Sequence, residues 1–264
     1  KILKLKKNTQ LKKILNNIVL FWTGKSRISE DISKSYIKKT IDELSPKCHI
    51  NFHLFSRSKP SKDIFENEPN SESFTLIEYQ IDILCPKEIE NCLEEIEKID
   101  KALLFQGSLT DNEKSTNLNY LKEQLDVNLT SYILWSEKIV KFFEKQTFGH
   151  LILIGSVAGD RARKKNYIYG TSKASIEFYI KGLNHRFFSY EEVFFTLVKP
   201  GLIDTPMTKD FEKGFTWSTA DKVAEDITKA IKRKKFLVYT PNYWRFIMFV
   251  IRNLPNIIFN RTNF

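Results

Sequence analysis

Cysteine is scarce in this chain of 264 residues, which contains only three. Cys48, Cys85 and Cys92 are neither an even set nor spaced as metal ligands, so they predict no disulfide framework and no zinc site. We expect them to be ordinary buried thiols in a reducing compartment. The four histidines also lack metal-ligand spacing. The sequence therefore predicts a protein without a bound metal.

Long apolar runs are missing as well. The uninterrupted stretch from Phe246 to Ile251 is far too short for the roughly 30 Å of hydrocarbon in a bilayer. Lysines interrupt the apolar residues at positions 1–7, so no signal peptide is expected there. These absences predict a cytoplasmic protein. The aromatic and arginine-containing segment 243–259 leaves three interpretations open: packing on its own domain, contact with the inner face of a membrane, or contact with another subunit.

Acidic residues do not balance the basic ones, and the formal net charge is +10. A nucleic-acid-binding protein would concentrate this charge on one stripe with aromatic residues for stacking. The lysines here are spread over most of the predicted helices, so we expect no nucleic-acid partner. Two basic clusters, at residues 1–7 and 229–235, are equally consistent with simple solubility and with an anionic membrane surface.

Apolar strands alternate with amphipathic helices along most of the chain. This order predicts a single α/β domain with a parallel sheet, and the length suffices for a large core. We place a basic amino-terminal extension at 1–16, the α/β domain at 17–240 and an amphipathic helical segment at 241–264. The first predicted helix runs from about Asp31 to Leu44.

Tyr169 and Lys173 are four residues apart, so they lie on one face of a helix. An ammonium beside a phenol favours the phenolate, which predicts a tyrosine pKa below its usual value of about 10. Ser156 ends an apolar strand just before this helix, and Pro200-Gly201 ends the next strand. Ligands bind at the carboxyl ends of parallel strands. The arrangement suits proton transfer at an alcohol or a ketone.

These motifs resemble the short-chain dehydrogenase/reductase family over about residues 17–210. The resemblance is strongest over 156–175 and 199–207, and it implies a Rossmann-type doubly wound sheet. It also implies an active site of Asn128, Ser156, Tyr169 and Lys173. In that family the tyrosine protonates the carbonyl oxygen and the serine steadies it. The asparagine bends a helix around a water that feeds protons to the lysine, which also binds the nicotinamide ribose.

The resemblance implies an NAD(P)(H)-dependent oxidoreductase that reduces a ketone or oxidises a secondary alcohol, working as a homodimer or homotetramer. Family members carry a glycine-rich turn after the first strand, where this chain has Thr23-Gly24-Lys25-Ser26-Arg27-Ile28 and keeps only the first glycine. Two interpretations compete. Basic and hydroxyl side chains hold the cofactor phosphate, or the turn is closed and the protein is a catalytically silent nucleotide sensor or scaffold.

The resemblance also implies the cofactor-binding residues. They are Gly24, Lys25, Ser26, Arg27, Ile28, Arg57, Asp82, Ile83, Gln106, Gly107, Tyr169, Lys173, Pro200, Gly201, Ile203 and Thr205. The second strand ends near Arg57 and Lys59 without a carboxylate. A carboxylate there would accept the ribose hydroxyls of NAD, whereas arginine pairs with the NADP phosphate, so NADP(H) is favoured and NAD(H) stays open.

Segments 156–163 and 166–170, together with the apolar tail, look like the branch that contains decaprenylphosphoryl-ketoribose reductases. Those enzymes reduce a sugar ketone carried on a polyprenyl phosphate. The similarity implies a sugar or lipid-linked sugar ketone as substrate. Arg161, Arg163, Lys164 and Lys165 would then be available for a phosphate.

Overall fold

A computed structural model describes residues 16–21, 27–44, 49–57, 74–111, 113–204, 214 and 216–262. Its strands are β1 (Asn16–Phe21), β2 (Ile50–Ser56), β3 (Phe74–Gln80), β4 (Lys101–Leu104), β5 (Phe148–Ile154), β6 (Glu192–Pro200), β7 (Leu202–Asp204), β8 (Trp217–Thr219) and β9 (Leu237–Thr240). Its helices are α1 (Arg27–Leu44), α2 (Pro86–Glu94), α3 (Leu118–Leu125), α4 (Ser131–Gln146), α5 (Tyr167–Arg186), α6 (Ala220–Lys232), α7 (Tyr243–Asn253) and α8 (Asn256–Phe259).

Seven of the described strands form one sheet in the order β3-β2-β1-β4-β5-β6-β9, and every neighbouring pair is parallel. The order reverses between β1 and β4, as in a doubly wound sheet. Strand β5 is buried from Gly149 to Ile154, which explains its apolar run from Leu151 to Ile154, because helices cover both faces of such sheets. The buried His150 in this strand is hydrogen-bonded to the Thr196 hydroxyl. The predicted α/β architecture is confirmed. The short strands β7 and β8 pair separately.

Alternate residues along the central strands pack into two different apolar clusters. Leu151 and Leu153 of β5 pack with residues of α2, α4 and α5. Ile152 and Ile154 pack with residues of α1 and α6. Because successive strand residues point to opposite faces, these clusters lie on the two sides of the sheet. The sheet is therefore held rigidly, and its carboxyl edge is a fixed platform.

The carboxyl-terminal segment folds back onto this platform. Trp244, Met248 and Ile251 of α7 are buried in a third cluster with Val157 and Tyr239. One face of α7 thus packs on its own domain, as the first of the three interpretations expected. None of the described helices combines the length and the hydropathy needed to cross a bilayer.

The cysteines differ from the expectation of buried thiols. Cys85 and Cys92 are free and only partly buried, because Cys85 immediately precedes the surface helix α2 and Cys92 lies at its edge. Cys48 lies outside the described residues.

Candidate active site

Three of the four implied active-site residues meet beyond the carboxyl end of β5. Ser156 follows the strand by two residues and precedes a short 3₁₀ turn (Val157–Gly159). Helix α5 then presents Tyr169 and Lys173 one turn apart. The Ser156 hydroxyl is hydrogen-bonded to the Tyr169 phenol and accepts a bond from the Ala158 amide at 3.1 Å. A carbonyl oxygen placed between the two hydroxyls would receive both.

Two glycines allow this close approach. A Cβ on Gly159 would lie 2.8 Å from the backbone of Lys173 and Ala174, and one on Gly170 would lie 2.8 Å from the Ala158 carbonyl oxygen. Neither contact is possible for a larger residue without a shift of the backbone. The role of these glycines was missed from the sequence. The available signal was Gly170 in a helix interior, where glycine costs about 1 kcal/mol relative to alanine.

Lys173 points inward and is 3% exposed. Its ammonium donates to the carbonyl oxygens of Ile154 (3.1 Å) and Gln106 (3.4 Å), at the ends of β5 and β4, and to the hydroxyl of Tyr132 (3.3 Å). Burial lowers the pKa of Lys173 to about 7, because desolvation disfavours the charged form.

The expected lowering of the Tyr169 pKa is wrong for this state of the site. Burial raises the pKa of Tyr169 to about 12, and the hydrogen bond with Ser156 opposes this only in part. The physical reason is that burial disfavours the charged forms of both residues. In addition, the Lys173 ammonium is bonded to strand-end carbonyls and lies 5.7 Å from the centre of the Tyr169 ring.

Asn128 lies in the middle of a π-helical turn (Asp126–Thr130) that joins α3 to α4. Its amide nitrogen donates to the Ser108 carbonyl and its amide oxygen accepts from the Ser108 N–H, both at 2.9 Å. The widened turn lies where the family resemblance implied a bend in the helix, and the role of Asn128 stays a prediction. Asn128 thereby ties α4 to the segment after β4, close to Gly107 and the Lys173 ammonium.

Tyr132 is a polar residue of the site that the sequence did not indicate. It follows Asn128 by one helical turn and is completely buried. Its hydroxyl lies 2.5 Å from the Gln106 carbonyl oxygen and 2.8 Å from that of Ile154. The only sequence signal was its position four residues after Asn128.

The implied cofactor residues gather along the carboxyl edge of the sheet wherever they are described. Arg57 follows β2, Asp82 and Ile83 follow β3, and Gln106 and Gly107 follow β4. Pro200 ends β6, and Gly201 comes directly after it. Arg27 and Ile28 form the first turn of α1, which begins before the predicted start at about Asp31. Gly24, Lys25, Ser26 and Thr205 lie outside the described residues, as does Lys59.

Several of these side chains are already engaged. Ile83 and Ile203 are buried in the apolar clusters, so only their backbone atoms could reach a cofactor. Trp135 also donates to the Ile83 carbonyl oxygen at 3.0 Å. The Asp82 carboxylate accepts from the Leu84 amide at 3.0 Å and stays exposed. These positions remain predictions.

The side chain of Gln106 indicates whether a dinucleotide could bind at this edge of the sheet. Its side chain is 1% exposed, and neither its amide oxygen nor its amide nitrogen has a hydrogen-bond partner within the described part of the chain. A buried polar group without a partner costs about 1–3 kcal/mol. A ligand with hydroxyl and amide groups, such as a nicotinamide riboside, would satisfy both atoms. The site therefore fits the implied cofactor.

Arg161 does not have the role that was expected of it. Its guanidinium donates to the carbonyl oxygens of Ile251 and Leu254 and to the amide oxygen of Asn256, and it stacks on the Phe259 ring at 3.9 Å. We call these contacts the Arg161 clamp. They join the segment after Ser156 to α7 and α8, so this guanidinium is not available to a phosphate. The remaining candidates are Arg163, which is partly buried, and the exposed Lys164 and Lys165.

Comparison with known proteins agrees with this geometry. Residues 50–215, more than half of the chain, match the family described as short chain dehydrogenase. An uncharacterized oxidoreductase from Streptomyces coelicolor is 32% identical over 118 residues, which are 45% of this chain and 46% of the relative. The chain thus spans about half of the length of the relatives that it matches.

Solved structures share the fold at lower identity. A short chain dehydrogenase from Burkholderia cenocepacia in complex with NADP has a TM-score of 0.66 and 15% identity (84% of this chain, 86% of the other). The bulky-bulky ketone specific alcohol dehydrogenase from Comamonas testosteroni has a TM-score of 0.70 and 17% identity (90% and 94%). A 3-oxoacyl-[acyl-carrier protein] reductase from Brucella melitensis in complex with NAD has 0.66 and 16% (85% and 95%). These likenesses show the architecture alone, and the family match over residues 50–215 shows that this chain belongs to the short chain dehydrogenase family.

Proposed function

We propose that this protein is an oxidoreductase that reduces a ketone, or oxidises a secondary alcohol, with NADP(H) or NAD(H). The observation that carries the proposal is the convergence of Asn128, Ser156, Tyr169 and Lys173 at the edge of the sheet where the unpaired Gln106 amide also lies. A catalytically silent sensor or scaffold transfers no proton, so it would not require these side chains to lie close to each other.

In the reducing direction Tyr169 donates its proton to the substrate oxygen, and the Ser156 hydroxyl orients that oxygen. Burial raises the pKa of Tyr169 to about 12, so at neutral pH the phenol holds the proton that the reducing direction needs. The Lys173 ammonium then stabilises the negative charge that develops on the phenol oxygen. When bound, the nicotinamide supplies or accepts the hydride.

The catalytic assay compares two tyrosines of α5. We expect NADPH oxidation with a panel of keto-sugars, and a loss of about 100-fold or more in Tyr169→Phe, because the proton donor is removed. Tyr167→Phe is the matched control, since Tyr167 is 52% exposed and two residues away. Equal turnover of the two variants would contradict the assignment. Cofactor binding without turnover would favour the sensor.

NADP(H) is the cofactor that we favour, because Arg57 lies at the end of β2. A guanidinium pairs well with a phosphate. Calorimetric titration should give NADPH a lower Kd than NADH, and Arg57→Ala should raise the Kd of NADPH by roughly tenfold while leaving that of NADH nearly unchanged. An equal change for both cofactors would contradict the preference. A complete lack of binding up to millimolar concentrations would contradict the dinucleotide site itself.

A sugar ketone carried on a lipid phosphate is the substrate class that we propose. Support comes from the place of α7, whose Trp244 packs against Gly201 and shares a cluster with Val157, the residue after Ser156. The other side of α7 and α8 exposes apolar residues: Phe246 (70%), Phe249 (66%), Val250 (44%), Ile257 (72%) and Ile258 (53%). We call them the α7–α8 apolar face. A lipid carrier on this face would lie beside the active site.

The proposed partner of the α7–α8 apolar face is an anionic membrane surface at the cytoplasmic side. Arg245, Arg252 and Arg261 are exposed around it, and basic residues beside an apolar helix face favour anionic lipids. Deleting the segment would also destroy the buried cluster and the Arg161 clamp. The double variant Phe246→Ser/Phe249→Ser is therefore the better test, because it changes only exposed residues of the apolar face.

Flotation with vesicles of phosphatidylcholine and phosphatidylglycerol should recover the wild-type protein and lose this double variant. Phe188→Ser, at an aromatic side chain that is 88% exposed near the end of α5, is the control and should still float. Equal flotation of all three proteins would contradict membrane contact. A dimer that the double variant disrupts in light scattering would assign the face to a second copy instead.

A different face suits the predicted homo-oligomer. Phe178 on α5 is 83% exposed beside a groove of about 510 Å³ between α4 and α5. Gly182 leaves open space in that groove. A two-fold axis brings the same patch of two copies together, so Phe178 of each copy could fill the groove of the other. We expect Phe178→Asp to convert a dimer into a monomer in multi-angle light scattering, whereas Phe188→Asp should leave the mass unchanged. A monomeric wild-type protein would contradict this proposal.

A further inference from the structure

The Lys173 ammonium has three protons and three acceptors in contact with it. Two of the acceptors are the carbonyl oxygens of Gln106 and Ile154, at the ends of adjacent strands, and the third is the Tyr132 hydroxyl. The Tyr132 hydroxyl itself has a single proton, and both carbonyl oxygens are within its reach at 2.5 and 2.8 Å. It therefore donates to a carbonyl and accepts from the ammonium through its lone pair.

From this geometry we propose that Tyr132 is a positioning residue of the proton-handling site, which fixes the Lys173 ammonium between the ends of β4 and β5. The catalytic part of the proposal rests on the oxidoreductase function argued above. The bond itself is a property of the folded chain and can be tested without turnover.

Three observations favour a positioning role over simple packing. Tyr132 is completely buried, so its hydroxyl would cost free energy there without a partner. The ammonium also lies 4.6 Å from the centre of the Tyr132 ring, within the range of a cation–π contact. Finally, the hydroxyl contacts both strand-end carbonyl oxygens and the ammonium at once, which an apolar side chain of the same size could not do.

The surroundings of the ammonium contain no balancing negative charge in the described part of the chain. The titratable side chains that face it are Tyr132 from α4 and Tyr169 from its own helix, while the strands β4 and β5 contribute only carbonyl oxygens. The π-helical turn contributes the uncharged Asn128 near Gly107. Burial keeps the pKa of Tyr132 well above its ordinary value. Removing this hydroxyl therefore takes away one of the three hydrogen-bond acceptors that the ammonium has among the described residues.

The test is the pH dependence of unfolding. Lys173 is charged in the folded protein below its pKa of about 7, so the bond to Tyr132 contributes fully at pH 6 and little at pH 9. We expect Tyr132→Phe to raise the urea-extrapolated unfolding constant by roughly tenfold or more at pH 6 and by only about threefold at pH 9. Tyr36→Phe is the matched control, because Tyr36 is also buried but lies in the cluster on the other side of the sheet. Its effect should be the same at both pH values.

A double variant assigns the effect to the pair. In the background Lys173→Met, the substitution Tyr132→Phe should have one small effect at both pH values. If Tyr132→Phe alone does not fold, folding of the double variant would support the proposal, and failure of both would overturn it. An equal effect of Tyr132→Phe at pH 6 and pH 9 would also overturn it. If turnover is found, the alkaline limit of activity should move to lower pH by about one unit in Tyr132→Phe. A missing turnover would count against the proposed function and not against this bond.

Discussion

The most demanding prediction concerns Lys199, which is buried beside the candidate active site. Its side chain is 1% exposed and forms ion pairs with Asp160, whose side chain is 0% exposed, and with Glu177 at 18%. Tyr239 donates a further hydrogen bond of 2.7 Å to Asp160. Substitution by methionine keeps the apolar stem and removes the charge, so the Asp160 carboxylate would stay buried without its cation.

The structure sets the size of the effect. Removing one partner of a buried ion pair costs about 3–5 kcal/mol. In Lys199→Met, Tyr239 still donates to Asp160, and the Arg163 guanidinium still interacts electrostatically with this carboxylate. We therefore expect a loss of unfolding free energy at the lower end of this range, about 3 kcal/mol. With the usual denaturant dependence this is a fall of roughly 1–2 M in the urea midpoint. That loss is a large fraction of the stability of a typical domain.

A neighbouring lysine provides the matched control. Lys181 also pairs with Glu177, at 2.8 Å, but its side chain is 58% exposed. Lys181→Met should cost less than about 1 kcal/mol, because exposed ion pairs contribute little. Equilibrium urea unfolding followed by far-ultraviolet circular dichroism gives both values. Asp160→Asn in the Lys199→Met background should recover about half of the loss. The reasoning is refuted if Lys199→Met costs no more than Lys181→Met, or if the second substitution recovers nothing.

Three further predictions concern the glycine contact, a buried histidine and the Arg161 clamp. Gly159→Ala should lower turnover more than cofactor affinity, because its Cβ would meet the backbone of Lys173 and Ala174 at 2.8 Å; Gly182→Ala, into open space, should leave both unchanged. Burial lowers the pKa of His150 to about 3. In the unfolded chain this histidine takes up a proton near pH 6.5, whereas in the folded protein it stays neutral. The free energy of unfolding should therefore fall as the pH drops from about 6.5 towards 3. The urea midpoint measured over this pH range should fall less steeply in His150→Gln. Arg161→Met should speed tryptic cleavage within 243–262, whereas an unchanged rate would contradict the clamp.

The local part of the site could be predicted from the sequence. Tyr169 and Lys173 share a helix face because their spacing matches one helical turn. Ser156 comes just after an apolar run that predicts a strand from the local sequence alone. Asn128 was found only through the family resemblance, and its π-helical turn agrees with it. These features depend on neighbours within a few residues, which is why the sequence specifies them.

The electrostatic state of the site could not be predicted in the same way. The tyrosine pKa was expected to fall and is raised, because burial acts on Tyr169 and Lys173 more strongly than their mutual attraction. The depth of burial depends on how α4 and α5 pack over the sheet. Tyr132 reaches Lys173 across 41 residues of sequence, and no local pattern encodes such a contact.

By itself, the sequence indicated the order of strands and helices and the shared helix face of Tyr169 and Lys173, because periodicity and spacing are local properties. The doubly wound sheet and Asn128 were expected from the family resemblance. Only the tertiary structure decided what surrounds these residues: the carbonyl and phenol acceptors of Lys173, the burial of Lys199, and the return of α7 and α8 onto the segment after Ser156. Arg161 shows the difference clearly. Its charge suggested a phosphate ligand, but its contacts lie about 90 residues away in the chain, where long-range packing supplies carbonyl oxygens instead.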